Sequence, residues 1–393
     1  MKQKSRPRIA LIVEGSRAYG RELLRGIALY ARTQVDWSLL AQEMTLDSDI
    51  PDWLSSSRLS GVIARLDSRT VAPLRQLNVP IVDVRCSRKF EGIPQVATDN
   101  RRVAEMAFEH LQERGYRRFA FCGFRFAEYS EERLTYFREF VRDAGHQLSV
   151  YETPGKPSDT LTAIEQSGMA DFGPMSQWLA SLERPTGLFV CNDIRGQQVL
   201  NACRKEEIAV PDDLGIIGVD DDDALCLLCD PTLSSVRPNA ELVGYRAAEV
   251  LNQMLQGLRP EVEVDSIPPK FVAERMSTQV VAVEDEELAR VCRFIRLHAC
   301  EGINVNDVCE FTSLSRRQLE RRFREVLGRT PHEQITAMQV DRVKQLLRET
   351  DMTLERISPK AGYHHKERLS AVFKRETGEP PGEYRRRSRA ASN

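Results

Sequence analysis

A repeat with a period of 50 residues occupies the end of the chain and restricts its fold more than any other feature. Phe323 and Phe373 are 50 residues apart, as are Gly328 and Gly378. The surrounding segments are VNDVCEFTSLSRRQLERRFREVLGRTP and LERISPKAGYHHKERLSAVFKRETGEPP. Each predicts a short helix, a tight turn and a longer helix with one apolar face. The intervening PHEQITAMQVDRVKQLLRET predicts one long connecting helix.

Apolar residues at helical spacing define the buried face of each copy. They are Val305, Val308, Leu314, Leu319 and Phe323 in the first copy, and Leu354, Ile357, Tyr363, Leu369 and Phe373 in the second. This pattern is typical of helix-turn-helix (HTH) motifs, which we place at about 305–327 and 354–377. Pro359 falls inside the first helix of the second motif, where proline is expected to break a backbone hydrogen bond or shorten the helix.

The outward face of each longer helix carries side chains suited to DNA. The candidate DNA-binding residues are Arg316, Arg317, Glu320 and Arg321 in the first motif, and His365, Lys366 and Glu367 in the second. Arginine pairs well with guanine, and a carboxylate can accept a hydrogen bond from cytosine. One such helix alone could equally be the solvated face of a small bundle, but two basic copies at a fixed period favour a reader of double-stranded DNA. Joined by one helix, they would contact successive major-groove turns about 10 base pairs apart.

The charge distribution also separates the tail from the rest of the chain. Residues 285–393 contain 22 Lys and Arg against 17 Asp and Glu, whereas the remainder contains 34 against 41. A basic tail on an acidic body indicates a polyanionic partner for the tail only.

The tail resembles the AraC/XylS DNA-binding domain through SRRQLERRFREVLGRTP and AGYHHKERLSAVFKRETGEPPGEYRR. By that resemblance Arg317, Glu320 and Arg321 stand where the first recognition helix reads bases. Lys366 and Glu367, with His365 nearby, stand in the second.

The first two thirds of the chain alternate short apolar runs with helical patterns. The candidate strands are Ile9–Glu14, Gly61–Ala64, Ile81–Val84, Phe119–Cys122, Gly187–Cys191 and Gly215–Val219. The helical segments between them include Gly20–Arg32, Arg101–Arg114, Glu131–Ala144 and Gly196–Glu206. This alternation predicts parallel sheet in a doubly wound fold. Pro268-Pro269 and the charged run Glu284–Glu287 mark the expected end of this region, after which only helix is predicted.

Four segments of this region carry a second resemblance. They are IALIVEGSRAYGRELLRGIALYAR, VATDNRRVAEMAFEHLQERGYRRFAFCG, GLFVCNDIRGQQVLNACRKEEIAVPDDLGIIGVDDDD and LSSVRPNAELVGYRAAEVL. Over most of residues 8–280 the chain resembles the ligand-binding core of LacI/GalR repressors, itself similar to periplasmic sugar-binding proteins. The resemblance implies a two-lobed α/β, type I periplasmic-binding-protein-like sensor at 1–282 and an all-α DNA-binding domain at 283–393. A LacI-like sensor with an AraC-type tail is similar to the xylose operon regulator (XylR) family.

Candidate ligand residues follow the predicted strands, because ligands of open α/β sheets bind beyond the carboxyl ends of the strands. They are Arg17, Tyr19, Asn192, Asp193, Arg195, Asp220 and Asp221; Arg133, inside the helical segment Glu131–Ala144, is a candidate by the resemblance alone. The resemblance implies ligand-binding positions for Arg133, Asn192 and Asp220. The four aspartates that begin at Asp220 could instead form a solvated loop or helix cap, and Arg17 could be an exposed loop cation.

We therefore expect a ligand-responsive, sequence-specific transcription regulator. The resemblance implies a homodimer that activates sugar-catabolism genes through RNA polymerase, with a pentose such as xylose as effector. A different sugar, a sugar acid, or repression is the alternative. We predict no enzymatic activity and no cofactor, because the six histidines match no metal-binding or triad pattern, GxSxG does not occur, and GSRAYG is no phosphate loop.

Cysteines and apolar runs predict the compartment. Cys226 and Cys229 form a lone CxxC, which could be a redox pair or half of a zinc site, although buried apolar cysteines are favoured and we predict no metal. The apolar run IALIV near the N-terminus is too short for a signal peptide, and no stretch reaches the length of a membrane span. We expect a cytoplasmic protein with no membrane partner, which disfavours an exported sugar-binding protein.

Overall fold

The computed structural model describes residues 6–45, 47–85, 88–154, 156, 160–260, 264–279 and 285–390. The chain divides into two compact units, Met1–Val280 and Val281–Asn393, here called the α/β unit and the helical unit. The predicted boundary at 282/283 lies outside the described residues. A two-lobed α/β unit followed by a helical one confirms the predicted fold class. None of the helices described is both long and apolar enough to cross a bilayer.

The α/β unit is built on two six-stranded sheets, one in each lobe. Elements that begin the chain are β1 (Arg8–Ile12), α1 (Ala18–Thr33), β2 (Ser38–Ala41), α2 (Trp53–Ser56), β3 (Gly61–Ala64), α3 (Val71–Arg75), β4 (Ile81–Asp83) and β5 (Gln95–Thr98). They are followed by α4 (Asn100–Glu113), β6 (Phe119–Phe124), α5 (Glu128–Asp143), β7 (Leu148–Thr153), α6 (Leu161–Ala170), α7 (Phe172–Ser181), β8 (Thr186–Val190), α8 (Asp193–Lys205), β9 (Leu214–Val219), α9 (Asp223–Leu228) and β10 (Ser234–Arg237). The unit continues with α10 (Ala240–Leu255), β11 (Val264–Ile267) and β12 (Phe271–Ala273).

Both sheets have the strand order of a doubly wound fold. The first lobe has the order β11-β5-β4-β3-β1-β2 and the second β12-β10-β9-β8-β6-β7. The strands pair in parallel, as predicted, except that β12 is antiparallel to β10. In each sheet the order reverses beside the first strand, β1 or β6, and this switch point opens a crevice at the carboxyl ends of the strands.

All six predicted strands are present, and six others were not predicted. β2, β7, β11 and β12 lie at or next to sheet edges and are only partly buried, so their residues lack a continuous apolar run. β5 (QVAT) and β10 (SSVR) are buried but short and polar. Apolar patterning therefore found the central strands and not the others.

The chain crosses between the lobes three times. After β5 it enters the second lobe, where α4 packs against α5; after β10 it returns, and α10 packs against α1. β11 then pairs with β5 in the first lobe, and β12 pairs with β10 in the second. Pro268-Pro269, expected at the end of this region, is instead the third crossing between lobes.

Helices α1 and α10 approach each other closely enough to exclude side chains at two glycines. A Cβ atom added at Gly26 would lie 1.8 Å from the carbonyl oxygen of Glu241, and one added at Gly244 would lie 2.1 Å from that of Leu23. Fully buried apolar residues, among them Ile27, pack beside this contact. The close approach fixes α10 on the first lobe although the chain has just left the second.

In the helical unit, seven α-helices follow one another between residues 285 and 390. They are α11 (Glu286–His298), α12 (Val305–Phe311), α13 (Arg316–Leu327), α14 (Pro331–Glu349), α15 (Leu354–Lys360), α16 (Lys366–Thr377) and α17 (Pro381–Ala390). Residues 316–330 and 366–380 show the same succession of buried, half-buried and exposed positions, which confirms the repeat. Gly328 and Gly378 end α13 and α16 with φ of 67° and 81°, a conformation that favours glycine.

Pro359 does not shorten the helix that contains it. α15 has seven residues, as does α12, its counterpart in the first motif. Pro359 lies in the last turn, where the following Ala361 still donates its N–H to the carbonyl of Ile357 at 3.1 Å. Proline therefore removes only its own hydrogen bond, to the carbonyl four residues earlier, and the helix ends one residue later.

We predict that Gly244→Ala lowers the unfolding free energy of the α/β unit by about 1–3 kcal/mol, because overpacking outweighs the better helix propensity of alanine. Gly173→Ala is the matched control. A Cβ atom at Gly173 in α7 would contact nothing within 4 Å, so this variant should be neutral or slightly more stable. Urea unfolding followed by tryptophan fluorescence reports on this unit, since Trp37, Trp53 and Trp178 all lie in it. Equal stability of the two variants would contradict the close approach.

Candidate functional site

A cavity of about 130 Å³ lies between the two lobes at the carboxyl ends of the strands. Six of the eight predicted ligand residues line it: Arg17, Tyr19, Arg133, Asn192, Asp193 and Asp220. The first two come from the start of α1, after β1. The others come from α5 and from the ends of β8 and β9 in the second lobe. The cavity thus lies where the strand order predicts a binding crevice.

An ion pair between Arg17 and Glu165 crosses the cavity from one lobe to the other. Arg17 Nη2 lies 2.6 Å from Glu165 Oε2. Glu165 Oε1 accepts hydrogen bonds from the Tyr129 hydroxyl at 3.0 Å and from Asn192 Nδ2 at 3.2 Å. Burial raises the pKa of Glu165, and the guanidinium of Arg17 opposes that rise. The Glu165 carboxylate therefore holds three side chains, from both lobes, around the cavity.

Arg133 is held from two sides at the wall of the cavity. Its Nε donates to Asn100 Oδ1 at 2.9 Å, and its Nη1 donates to the carbonyl oxygen of Cys191 at 2.5 Å. The guanidinium also lies over the Tyr129 ring, 5.1 Å from its centroid. These contacts use two of the five N–H groups of the side chain and fix its orientation.

Asp220 presents a carboxylate that has no hydrogen-bond or ion-pair partner among the described residues. Its φ of 109° is unusual for a residue with a side chain, and the next residue, Asp221, also has a positive φ, 49°. Burial raises the pKa of Asp220 to about 6; Arg133 lowers it and Glu165 raises it. A strained, desolvated carboxylate at a cavity wall is a candidate acceptor for a ligand hydroxyl.

Asp193 lines the cavity, but neighbouring groups already occupy its carboxylate. Its Oδ2 accepts from the backbone N–H of Asp222 at 2.9 Å and its Oδ1 from the Ser235 hydroxyl at 2.7 Å. Burial, reinforced by the charge of Asp220, raises the pKa of Asp193 well above its usual range. Asp193 thus ties the loop after β9 to the start of α8.

Arg195 lies outside the cavity and is fully buried. Its guanidinium donates to Cys122 Sγ at 3.1 Å, Gln198 Oε1 at 2.9 Å and Thr153 Oγ1 at 2.5 Å. Successive helical residues are rotated by about 100°, so Arg195 points roughly opposite to Asp193, two residues earlier in α8. The expectation that ligand residues follow the strands selected the correct segment, but it could not predict in which direction each side chain points.

Asp221 also lies outside the cavity. Its carboxylate forms ion pairs with Arg275 at 2.6 Å and Arg237 at 3.1 Å. Arg237 also contacts Glu22 of the first lobe at 2.6 Å. Asp221 therefore anchors the loop that carries Asp220, and its partner Arg237 adds a further polar connection between the lobes.

Several cavity residues were absent from the sequence prediction. Arg65 and Arg85 directly follow apolar runs at β3 and β4, so the same expectation could have selected them. Tyr129 lies one helical turn before Arg133, and a helical-face argument would have reached it. Glu165 enters from α6, which follows no predicted strand, and only the fold brings it to the cavity.

The CxxC cysteines are buried side chains of the second lobe. Cys226 is fully buried in α9 and Cys229 is 7% exposed, and both belong to the apolar core of that lobe. Burial raises the pKa of both thiols. Within the described ranges, no group of three or more His, Cys, Asp or Glu side chains is arranged to hold a metal ion.

The first HTH motif presents its four predicted DNA-binding residues on one helix. Arg316, Arg317 and Arg321 are exposed on α13, and Glu320 is half-buried. Arg316 forms an ion pair with Glu320 at 3.1 Å, whereas Arg317 has no hydrogen-bond or ion-pair partner among the described residues. The opposite face of α13 buries Leu319 and Phe323 completely.

The second HTH motif has the same construction with different exposed chemistry. His365 precedes α16 as its N-cap, and Lys366 and Glu367 begin the helix; all three are exposed. Lys366 forms an ion pair with Glu355 of α15 at 2.6 Å. The equivalent contact of the first motif joins Arg316 to Asn306 at 3.5 Å. In each motif a cation at the start of the second helix thus contacts the first helix.

Comparisons with known families match both units. An XylR N-terminal domain matches residues 8–101, a periplasmic binding protein-like domain residues 108–278, and a helix-turn-helix domain residues 308–387.

Two relatives match nearly all of this sequence. The chain is 31% identical to the xylose operon regulatory protein of Escherichia coli (strain K12) over 392 aligned positions, which cover 97% of each chain. It is also 31% identical to the protein of the same name from Haemophilus influenzae, over 96% of this chain and 98% of that one.

A solved structure is also similar to this chain in fold. The structure of the xylose-binding transcription activator XylR superposes with a TM-score of 0.77 at 30% identity, covering 97% of this chain and 98% of that one. These similarities, over 97% of the chain, identify it as a member of the xylose operon regulator (XylR) family. Members of this family are ligand-responsive DNA-binding transcription regulators with an AraC-type helix-turn-helix domain.

Proposed function

We propose that this regulator binds a neutral sugar, a pentose such as xylose, between its lobes, and that binding changes how its helical unit engages promoter DNA. The proposal is supported by the polar cavity and by the relatives, which are named xylose operon regulatory proteins. A ligand can shift the lobes only if it binds one conformation better than another. A ligand that contacts Arg17 in one lobe and Asp220 in the other meets that condition.

The charges around the cavity favour a neutral sugar over a sugar acid. The lining includes four guanidinium groups, Arg17, Arg65, Arg85 and Arg133, and six carboxyl groups, Glu128, Glu132, Glu165, Asp193, Asp220 and Asp222. A further negative charge would therefore meet more acids than bases in a partly desolvated space. A sugar hydroxyl both donates and accepts, so it suits carboxylates and guanidinium groups equally.

We assign direct sugar contacts to residues with polar atoms at the cavity wall: Arg17, Tyr19, Arg133, Asn192 and Asp220. Asp193 and Asp221 act through the loop that carries Asp220, and Arg195 supports the wall from beneath. Arg17 already contacts Glu165, so a bound sugar would share or replace that ion pair.

On the DNA side, we assign base contacts to Arg317, Glu320 and Arg321 in the first motif and to His365, Lys366 and Glu367 in the second. Arg316 is assigned to the same surface. We further propose a cytoplasmic homodimer without enzymatic activity that activates transcription through RNA polymerase. The description of the related solved structure as an activator supports activation over repression.

The observation that carries the proposal is the exposed cationic face on two HTH motifs of matching construction. The test is a titration of the full chain against labelled promoter DNA, with and without xylose, arabinose, glucose and their acids. We expect DNA binding that changes with one neutral pentose and falls steeply as salt rises, because phosphate contacts release counterions. Absence of DNA binding under every condition would refute the proposal that the chain regulates transcription by binding DNA. A response confined to a sugar acid would refute the effector assignment.

We predict that Asp220→Asn lowers the affinity for the sugar effector by about 10- to 100-fold at pH 7.5. This is the loss expected when a hydrogen bond to a charged group is removed. The pKa of Asp220 is raised to about 6. Its carboxylate therefore gains a proton as the pH falls through 6 and becomes a weaker acceptor. Wild-type affinity should decrease from pH 7.5 to 5.5, while the variant should lose this dependence. Isothermal titration calorimetry measures both.

Asp230→Asn is the control for the Asp220 variant. The Asp230 side chain is 87% exposed and belongs to the same lobe, but it does not line the cavity. This control should keep the wild-type affinity and pH profile. Wild-type behaviour of Asp220→Asn would place the ligand elsewhere.

We predict that Arg317→Ala costs about 1–3 kcal/mol of DNA binding and relaxes base preference at one position, while sugar affinity stays unchanged. Arg293→Ala removes an arginine that is also exposed, on α11 outside both HTH motifs, and should have little effect. Fluorescence anisotropy with a panel of substituted duplexes distinguishes the two. A uniform loss across all sequences would reassign Arg317 to the phosphate backbone.

A further inference from the structure

The long helix α14 contributes to two separate apolar cores. Ile335 and Met338 pack into the core of the first HTH motif, whereas Val340 and Val343 pack into the core of the second. The change from one core to the other occurs at Gln339, which is 9% exposed. A buried amide thus stands at the one point of the helix where the two motifs meet.

Gln339 joins three segments of the helical unit. Its Nε2 donates to the carbonyl oxygen of Ala299 at 2.9 Å, at the end of α11. Gly362, in the turn between α15 and α16, lies against the same pair. A Cβ atom on Gly362 would lie 2.7 Å from the Ala299 oxygen and 2.8 Å from Gln339 Nε2. The φ of Gly362 is 78°, so glycine is required there for conformation as well as for space.

The contact between Gln339, Ala299 and Gly362 restrains a rotation of one HTH motif relative to the other that α14 alone would allow. Each motif packs on its own half of α14, and repacking within one half would turn that motif about the helix axis. The buried hydrogen bond and the absent side chain at Gly362 tie the turn of the second motif to the end of α11, which packs into the core of the first motif. Because the donor and the acceptor are both buried, losing one partner costs more than the bond itself contributes.

We infer that Gln339 is a positioning residue, which sets the second recognition helix relative to the first so that both engage one duplex. This inference rests on the proposed DNA-binding function. Two linked readers gain affinity only if their spacing matches the two sites on the DNA. Among the described residues Gln339 forms no hydrogen bond with a proposed DNA-contacting residue; its side chain lies against Ala299 and Gly362.

The test uses Gln339→Leu in the full chain, with Gln334→Leu as the matched control. Gln334 is 4% exposed on the same helix, and its Oε1 has no hydrogen-bond partner among the described residues. Both variants make the same chemical change to a buried glutamine, but only one alters the junction. The probe is the duplex that the wild type enriches from a randomised library, compared with duplexes in which either recognised block is scrambled.

We expect Gln339→Leu to bind each scrambled duplex as the wild type does but to lose about tenfold of its preference for the intact duplex. Inserting base pairs between the two recognised blocks should lower the DNA affinity of this variant less than that of the wild type. Gln334→Leu should keep the wild-type preference, even if its melting temperature falls.

Three outcomes would overturn the inference: an unchanged preference in Gln339→Leu, an equal loss in both variants, or a uniform loss on all three duplexes. Failure of the wild type to enrich or bind any duplex would instead overturn the proposed function.

Discussion

The proposed sensor is organised around the ion pair between Arg17 and Glu165. It joins the two lobes across the cavity at 2.6 Å, and the same carboxylate holds Tyr129 and Asn192. Buried ion pairs contribute little net stability, because desolvation offsets their attraction, but they are costly to break from one side. Such a contact specifies an arrangement of lobes without making it permanent. In the proposed function, a sugar hydroxyl would replace either partner, so that the same atoms would couple ligand binding to lobe position.

The loop after β9 concentrates strain where the ligand would bind. Asp220 and Asp221 both have positive φ, and their side chains point to different environments. Asp221 is secured by Arg275 and Arg237, and Asp193 secures the loop through the N–H of Asp222. Strain at non-glycine residues persists only where surrounding contacts over-determine it. These contacts hold the Asp220 carboxylate at the cavity wall without a partner among the described residues.

The helical unit uses one scaffold twice with different surfaces. Residues 316–330 and 366–380 share the same burial at every position, yet Arg317 corresponds to Glu367 and Arg321 to Ala371. Packing requires only the apolar stripe and the glycine at the helix end, so the exposed positions are free to differ. The two motifs therefore present different hydrogen-bonding groups, which predicts a recognition sequence with two unlike halves rather than a repeated one.

The sequence by itself determined the two fold classes, the central strands and the duplicated motifs, because each follows from local apolar period and from residues close in the chain. It also located five cavity residues that follow strands, Arg17, Tyr19, Asn192, Asp193 and Asp220, since parallel strands end at one edge. Only the tertiary structure decided in which direction each side chain points and which distant segments come into contact. Arg195 points away from the cavity because of its position on α8. Glu165 reaches the cavity from α6, a helix that follows a strand that the sequence did not predict. Gln339 gains its position only when two cores pack on one helix. No local pattern encodes these contacts, because each depends on segments far apart in the chain that only the folded chain brings together.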